Sequence, residues 1–180
     1  MIKKLCVFCG SSSGNNSKYL ELTRELGKVL VEKKIDLVYG AGSSGIMGHL
    51  ADSVLEDGGL VTGVIPRDLF SEEIEHKKLT HLIKVDDMHE RKKKMYELSD
   101  AFAALPGGFG TLDEFFEILT WRQLKLHPKP IYLFNFENFF GHLIEHIHYA
   151  DQEGLISNED LAHFEVINSF EDLKNTLFNF

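Results

Sequence analysis

The residues best placed to do chemistry together lie in one stretch, Leu105-Pro106-Gly107-Gly108-Phe109-Gly110-Thr111-Leu112-Asp113-Glu114. Glycines at 107, 108 and 110 let the backbone turn tightly and bring bare N–H groups close to a ligand. The apolar run from Ala101 to Leu105 predicts a buried strand ended by Pro106. Thr111 predicts a helix N-cap, with Phe115, Phe116, Leu119 and Leu124 along the inner face of the helix that follows. A strand, a glycine loop and a helix start, in that order, make an anion site, because unpaired N–H groups and the positive end of the helix dipole converge there. Asp113 and Glu114 set two carboxylates beside it. Thr111-x-x-Glu114 equally fits a capping box, in which the glutamate bonds back to the cap residue. A capping box has no need of a Gly-Gly-x-Gly approach, whereas a close-lying anion does.

A second group of chemical residues precedes it. Asp87 predicts the cap of a helix from Met88 to Leu98 containing Arg91, Lys92, Lys93 and Lys94. Four consecutive cations cover every side of a helix. Met88, Met95 and Leu98 define the inner face, and Arg91 falls on it between them, where it wants an anionic partner. Lys93 and Lys94 read as ordinary surface. Two further small-residue loops are candidate phosphate cradles: Gly10-Ser11-Ser12-Ser13-Gly14, and Gly40 to Gly48 with Gly42, Ser43 and Gly45 in a G-x-G-x-x-G pattern. The second follows the second expected strand, not the first. The next strand, Leu60 to Ile65, lacks the terminal acid that would hold a ribose diol. A nucleotide site without a bound dinucleotide cofactor is the expectation.

These loops need strands and helices to position them. Strands are expected at Lys4–Cys9, Ile35–Tyr39, Leu60–Ile65, His81–Val85, Ala101–Leu105, Pro130–Asn135 and Phe164–Ile167. Helices are expected at Ser17–Lys34, after Gly45, at Met88–Leu98, after Thr111, at Phe139–Tyr149 and at Phe170–Phe178. The alternation predicts an α/β fold, a doubly wound, Rossmann-like parallel sheet in one domain over residues 1–180. Its ligand belongs beyond the carboxyl ends of the strands. That edge gathers the loops at Gly10–Ser13, Gly40–Gly45, Pro66–Glu75, Met88–Arg91 and Pro106–Thr111.

Composition narrows the function further. The 180 residues suffice for a substantial core, and no apolar run approaches membrane-spanning length. The start, Met1-Ile2-Lys3-Lys4-Leu5, reads as a first strand and not as a signal peptide. A formal charge of −9 argues against a nucleic-acid partner. Cys6 and Cys9 form C-x-x-C, but three apart on a strand they face opposite sides, so they read as two core cysteines of a cytoplasmic protein. His142 and His146 have helical ligand spacing without a third ligand, and no metal is expected. A pyridoxal-dependent decarboxylase would need a cofactor-binding lysine within its own motif, and none is present.

Met88-His89-x-Arg91-Lys92 followed by Pro106-Gly107-Gly108-x-Gly110-Thr111-x-x-Glu114 resembles the Lonely Guy family of cytokinin riboside 5′-monophosphate phosphoribohydrolases. Further matches run through Cys9-Gly10-Ser11-Ser12, Tyr39-Gly40 to Gly48, Val64-Ile65-Pro66, Thr120-Trp121-x-Gln123-Leu124 and Lys129-Pro130. The resemblance implies hydrolysis, without metal or cofactor, of the N-glycosidic bond of a purine nucleoside 5′-monophosphate, plain AMP or N6-modified. Arg91 and Glu114 match the family's catalytic pair. Glu73, Met88, Arg91, Lys92, Gly107, Gly108, Phe109, Gly110, Thr111, Leu112, Asp113, Glu114 and Thr120 match its substrate-binding positions. Ala41 stands where a third glycine is common, Asp113 where glutamate is usual, and Glu72-Glu73 where Arg-Glu is common. A homodimer is also implied, and Phe139, Phe140, Phe178 and Phe180 suggest an apolar surface to build it. The competing class is a binding module that carries a nucleotide or phosphorylated cofactor without turning it over.

Overall fold

A computed structural model describes residues 2–67 and 75–178. The chain alternates strand and helix as its periodicity predicts. β1 (Lys4–Phe8), α1 (Lys18–Lys33), β2 (Asp36–Tyr39), α2 (Gly45–Glu56), β3 (Val61–Pro66) and β4 (His81–Val85) form the first half. α3 (Met88–Leu98), β5 (Ala101–Ala104), α4 (Phe109–Gln123), β6 (Ile131–Phe134), α5 (Gly141–Gln152), α6 (Asn158–Leu161), β7 (Glu165–Ile167) and α7 (Phe170–Phe178) form the second. α3 and α7 keep their expected spans, whereas α6 and a 3-10 turn at Phe136–Asn138 are additions. Among the described residues the sheet has seven strands in the order β4-β3-β2-β1-β5-β6-β7, and every paired ladder is parallel.

The order reverses between β1 and β5, so the crevice of this sheet opens at their carboxyl ends. Both faces are covered, and the period-two alternation of each strand divides the core in two. Leu5, Val7, Leu37, Tyr39, Ala101, Ala103, Tyr132 and Phe134 pack with Leu22, Leu26 and Leu30 of α1, Leu50 and Val54 of α2, and Leu173 of α7. Cys6, Phe8, Val38, Phe102, Ala104, Ile131 and Leu133 face the other way, onto Met95 of α3, Phe115 and Ile118 of α4, and Phe140. The cysteines are free, buried and on opposite faces, as their spacing predicts.

Three expectations about burial are corrected. The inner face of α4 is Thr111, Glu114, Phe115 and Ile118, whereas Phe116 is partly exposed and Leu124 is 62% exposed. The buried stripe runs at i, i+3, i+4 and i+7 from Thr111, which leaves Phe116 on the outer side, and Leu124 is the C-cap at the helix end. Met88 is exposed, leaving Arg91 and Met95 as the buried residues of α3. Phe140 is core, not surface, and packs edge-on against Phe139. Phe180 lies outside the described residues. No helix among the described residues is long and apolar enough to cross a membrane.

Candidate active site

The glycine run lets α4 begin earlier than the sequence suggests. Gly108 is the N-cap, in extended conformation, and Leu112 already donates its N–H to Gly108 O at 3.1 Å. Thr111 therefore sits inside the first turn, where its hydroxyl occupies the space a Cβ on Gly107 would fill. The capping box is not formed. The N–H groups of Phe109, Gly110 and Thr111 bond to no carbonyl of the described backbone, and they converge at the positive end of a 15-residue helix.

The start of α2 is used differently. Its Ile46 and Met47 N–H groups donate to Ser12 O at 3.4 Å and Gly10 O at 3.1 Å. Gly45, with φ of 63°, lies so close to the Ser11–Ser12 backbone that a side chain would collide with it. The Gly42–Gly45 turn thus fastens one loop to the other. Gly42 pairs in addition with Glu75, and His76 N–H donates to Ala41 O at 3.0 Å.

Glu114 comes one turn further along α4, and its carboxylate points inward, not back at the helix end. Its Oε1 accepts from Arg91 Nη1 at 2.8 Å, and both side chains are about nine-tenths buried, at 8% exposure for Arg91 and 10% for Glu114. Arg91 Nε donates to Val64 O of β3 at 3.1 Å. Asp87 Oδ1 accepts from Glu90 N–H at 2.8 Å and fixes the start of the helix that aims Arg91. Burial pushes the Glu114 carboxyl above its ordinary range; Arg91 pulls the other way and does not fully offset it.

Beside this pair, Lys92 bridges the same two helices. Its Nζ lies 3.1 Å from Asp113 Oδ2 and 3.0 Å from Glu117 Oε1. Burial alone would lower its pKa, but the two carboxylates outweigh burial and raise it. α3 and α4 are clamped by the buried Arg91–Glu114 pair and, beside it, by the two pairs that Lys92 makes nearer the surface.

The pair opens into a cleft of about 210 Å³ at the switch between β1 and β5. Of the sequence candidates, Gly10, Ser11, Arg91, Gly108, Phe109, Gly110, Thr111 and Glu114 line it, and Phe109 stands at its rim 93% exposed. Ser12 and Gly107 line an adjoining hollow that shares Gly10, Ser11 and Gly108 with the cleft and is walled by Tyr19 and Phe139. Leu112, Asp113 and Thr120 line a separate groove along the outer side of α4. Met88, Lys92, Gly42, Ser43 and Gly45 line none of these cavities. Glu73 falls outside the described residues. Cys9, expected only as a core cysteine, also lines the cleft, as do Gly40 and Met47 of the Gly40–Gly48 loop, neither of which was singled out within it. Gly40 carried a signal, since it is the first residue after a strand and opens the G-x-G-x-x-G pattern.

Among the described residues no group of three or more His, Cys, Asp or Glu side chains is placed to hold a metal ion. His142 is exposed and pairs with Glu145 at 3.0 Å.

The arrangement provides an open cluster of amides for an anion and, one turn away, a buried acid held by a buried guanidinium. A sequence profile described as "Possible lysine decarboxylase" matches residues 47–177. The chain is 48% identical over 155 residues to Cytokinin riboside 5′-monophosphate phosphoribohydrolase LOG1 of Arabidopsis thaliana, covering 86% of this chain and 73% of that protein. It is 47% identical over 155 residues to the Probable cytokinin riboside 5′-monophosphate phosphoribohydrolase LOGL3 of Oryza sativa subsp. japonica, covering 86% and 74%. Among solved structures, the molybdenum cofactor binding protein of Rippkaea orientalis superposes with a TM-score of 0.73 at 18% identity, over 99% of this chain and 97% of that one. That last likeness is one of fold.

Proposed function

The chain belongs to the Lonely Guy family of phosphoribohydrolases, and from that premise we propose that it hydrolyses the N-glycosidic bond of a purine nucleoside 5′-monophosphate at the cleft between α3 and α4. The substrate is AMP or its N6-modified form, and the products are the free base and ribose 5-phosphate. The observation that carries the reading is the buried Arg91–Glu114 pair, set one helical turn beyond the open amides of α4.

The amides of Phe109, Gly110 and Thr111 receive the 5′-phosphate, so that binding at the remote end orients the bond to be broken. Cleavage builds positive charge on the ribose, as in other glycoside hydrolyses. The Glu114 carboxylate faces that charge. Its burial lifts its basicity, which suits it to take a proton from the attacking water. Water adds at the anomeric carbon, the carbon–nitrogen bond breaks, and the base leaves with the bonding electrons and gains a proton. Arg91 holds Glu114 in place and offers its charge to the departing base or to the phosphate. Lys92, paired with Asp113 and Glu117, carries no signature of a Schiff-base lysine.

The catalytic reading outweighs the carrier reading because a buried acid beside an anion site weakens plain anion binding. The protein works as a cytoplasmic homodimer in this proposal. Support comes from the apolar surface at Phe116, Leu124 and Leu126 and from two free, buried cysteines. The test is release of base and ribose 5-phosphate from AMP, N6-prenylated AMP and adenosine. The monophosphates are cleaved far faster than adenosine. Equal rates on AMP and adenosine overturn the phosphate site, and AMP binding without ribose 5-phosphate release makes the protein a carrier.

A further inference from the structure

We propose that Gly40 is a positioning residue for the reaction, because its missing side chain is the seat that holds the Arg91 guanidinium against Glu114. Gly40 follows β2 directly, and its φ is not in the left-handed region that favours glycine. The backbone there suits any residue, so the need for glycine is one of space. A Cβ on Gly40 would overlap Arg91 Nη2, lie 3.2 Å from Cζ and come within 3.4 Å of Met47 Sδ.

Neither side of that contact is free to yield. On one side, Arg91 is tied through Nε to Val64 O at 3.1 Å and through Nη1 to Glu114 at 2.8 Å, deep in the protein. On the other, the loop that carries Gly40 is pinned. The buried Tyr39 hydroxyl donates to Gly42 O at 3.2 Å, and His76 N–H donates to Ala41 O at 3.0 Å. Gly42 gives the contrast. The nearest atoms to a Cβ there all belong to the Met47 side chain, Cε at 2.9 Å and Sδ at 3.3 Å, and that side chain has rotamers to spare. Gly40 is thus the member of its loop whose side-chain space is filled by a group of the reacting pair. An alanine forces the guanidinium off one of its two partners, and a displacement of about 1 Å at a catalytic group costs roughly a hundredfold in rate.

The turnover arm of the test rests on the proposed roles of Arg91 and Glu114; the stability arm does not. Gly40→Ala, Arg91→Ala and the double variant are compared for AMP hydrolysis and for thermal unfolding. Gly40→Ala is expected to lose about a hundredfold in kcat with little change in KM. The double variant is expected to match Arg91→Ala within about twofold, so that the two losses do not add, as for sites that act through one another. Gly40→Ala lowers the melting temperature in the wild-type background and not in the Arg91→Ala background, where the space is vacant. If Gly40→Ala does not fold, folding of the double variant supports the seat, and failure of both overturns it. Turnover of Gly40→Ala within about threefold of wild type, or a full added loss on top of Arg91→Ala, also overturns it. Should the wild-type chain prove inactive on nucleotides, the melting temperatures still decide whether Gly40 seats Arg91.

Discussion

Glu114→Gln tests the site most directly, because it removes one charge and almost no volume. The wild-type carboxylate is buried, accepts a 2.8 Å bond from Arg91 and carries a raised pKa. The amide oxygen of glutamine still accepts that bond, so the geometry survives. Two opposed changes follow for stability. Arg91 loses its counter-charge in a dry site, and breaking a buried pair costs about 3–5 kcal/mol when one ion is left alone. Yet the raised pKa says that burial already disfavours the ionised carboxylate, and the neutral amide escapes that desolvation. The net loss is therefore smaller than the full pair, on the order of 1–2 kcal/mol, close to that of one charge-assisted hydrogen bond. For catalysis nothing offsets the loss. A carboxylate facing developing positive charge is worth about 3–4 kcal/mol, a rate effect of roughly a hundred- to a thousandfold. The assay is adenine release from AMP by the folded variant, with AMP binding followed separately by calorimetry. A variant that folds, binds AMP and keeps more than about a tenth of wild-type turnover would refute the assignment of the acid.

Further predictions concern pH, the surface clamp and assembly. The acid limb of kcat/KM lies above the range of an ordinary glutamate, as the raised pKa of Glu114 requires, and a limb at the usual position counts against that role. His127 is buried, with Nε2 donating to Ile118 O at 3.0 Å and Nδ1 accepting from Lys129 N–H at 3.1 Å, so only the neutral ring satisfies both contacts. Burial lowers its pKa in the folded state. Its contribution is thus present above the ordinary histidine value of about 6.5 and is lost as pH falls below it. Melting temperatures of wild type and His127→Gln between pH 8 and pH 5, about one and a half units above and below that value, should converge on the acid side. Lys92→Met leaves Asp113 and Glu117 without their cation; a loss of about 1 kcal/mol that shrinks with added salt is expected, and a salt-independent loss assigns the effect to packing. Sedimentation of the wild-type chain should give a dimer, and a monomer at assay concentration removes that part of the proposal.

Much of the fold was legible because its signals are local. Apolar runs alternating with amphipathic segments announce a parallel sheet covered on both faces, and the Asp87 cap and the α7 span follow from neighbouring residues alone. Arg91 was legible for the same reason, since it lies in register with Met95 on one helix face. Glu114 was found but its local role was ambiguous. The S/T-x-x-E rule leaves three residues of the helix, Phe109 to Thr111, outside it when glycine serves as the cap, and only the arrival of Arg91 from another helix decides which way the carboxylate turns. Gly40 was illegible as a seat because its meaning lies in a side chain 51 positions away. α6 had a signal of its own in the sequence: Ser157 and Asp160 form a capping box at its start.

α4 joins the open amides and the acid on one rigid rod. Three to five residues separate Thr111 and Phe109 from Glu114, which at a rise of about 1.5 Å per residue is about 4.5–7.5 Å along the axis. A helix of this kind neither stretches nor shortens. On the proposed reading the protein therefore owns a ruler, one that measures the reach from a phosphate to the anomeric carbon of its sugar. A phosphate attached elsewhere on the ribose, or a longer polyphosphate gripped by its outermost group, would bring the wrong bond to the acid. Discrimination by length needs no surplus of positive charge, so a chain of formal charge −9 can still choose among anions.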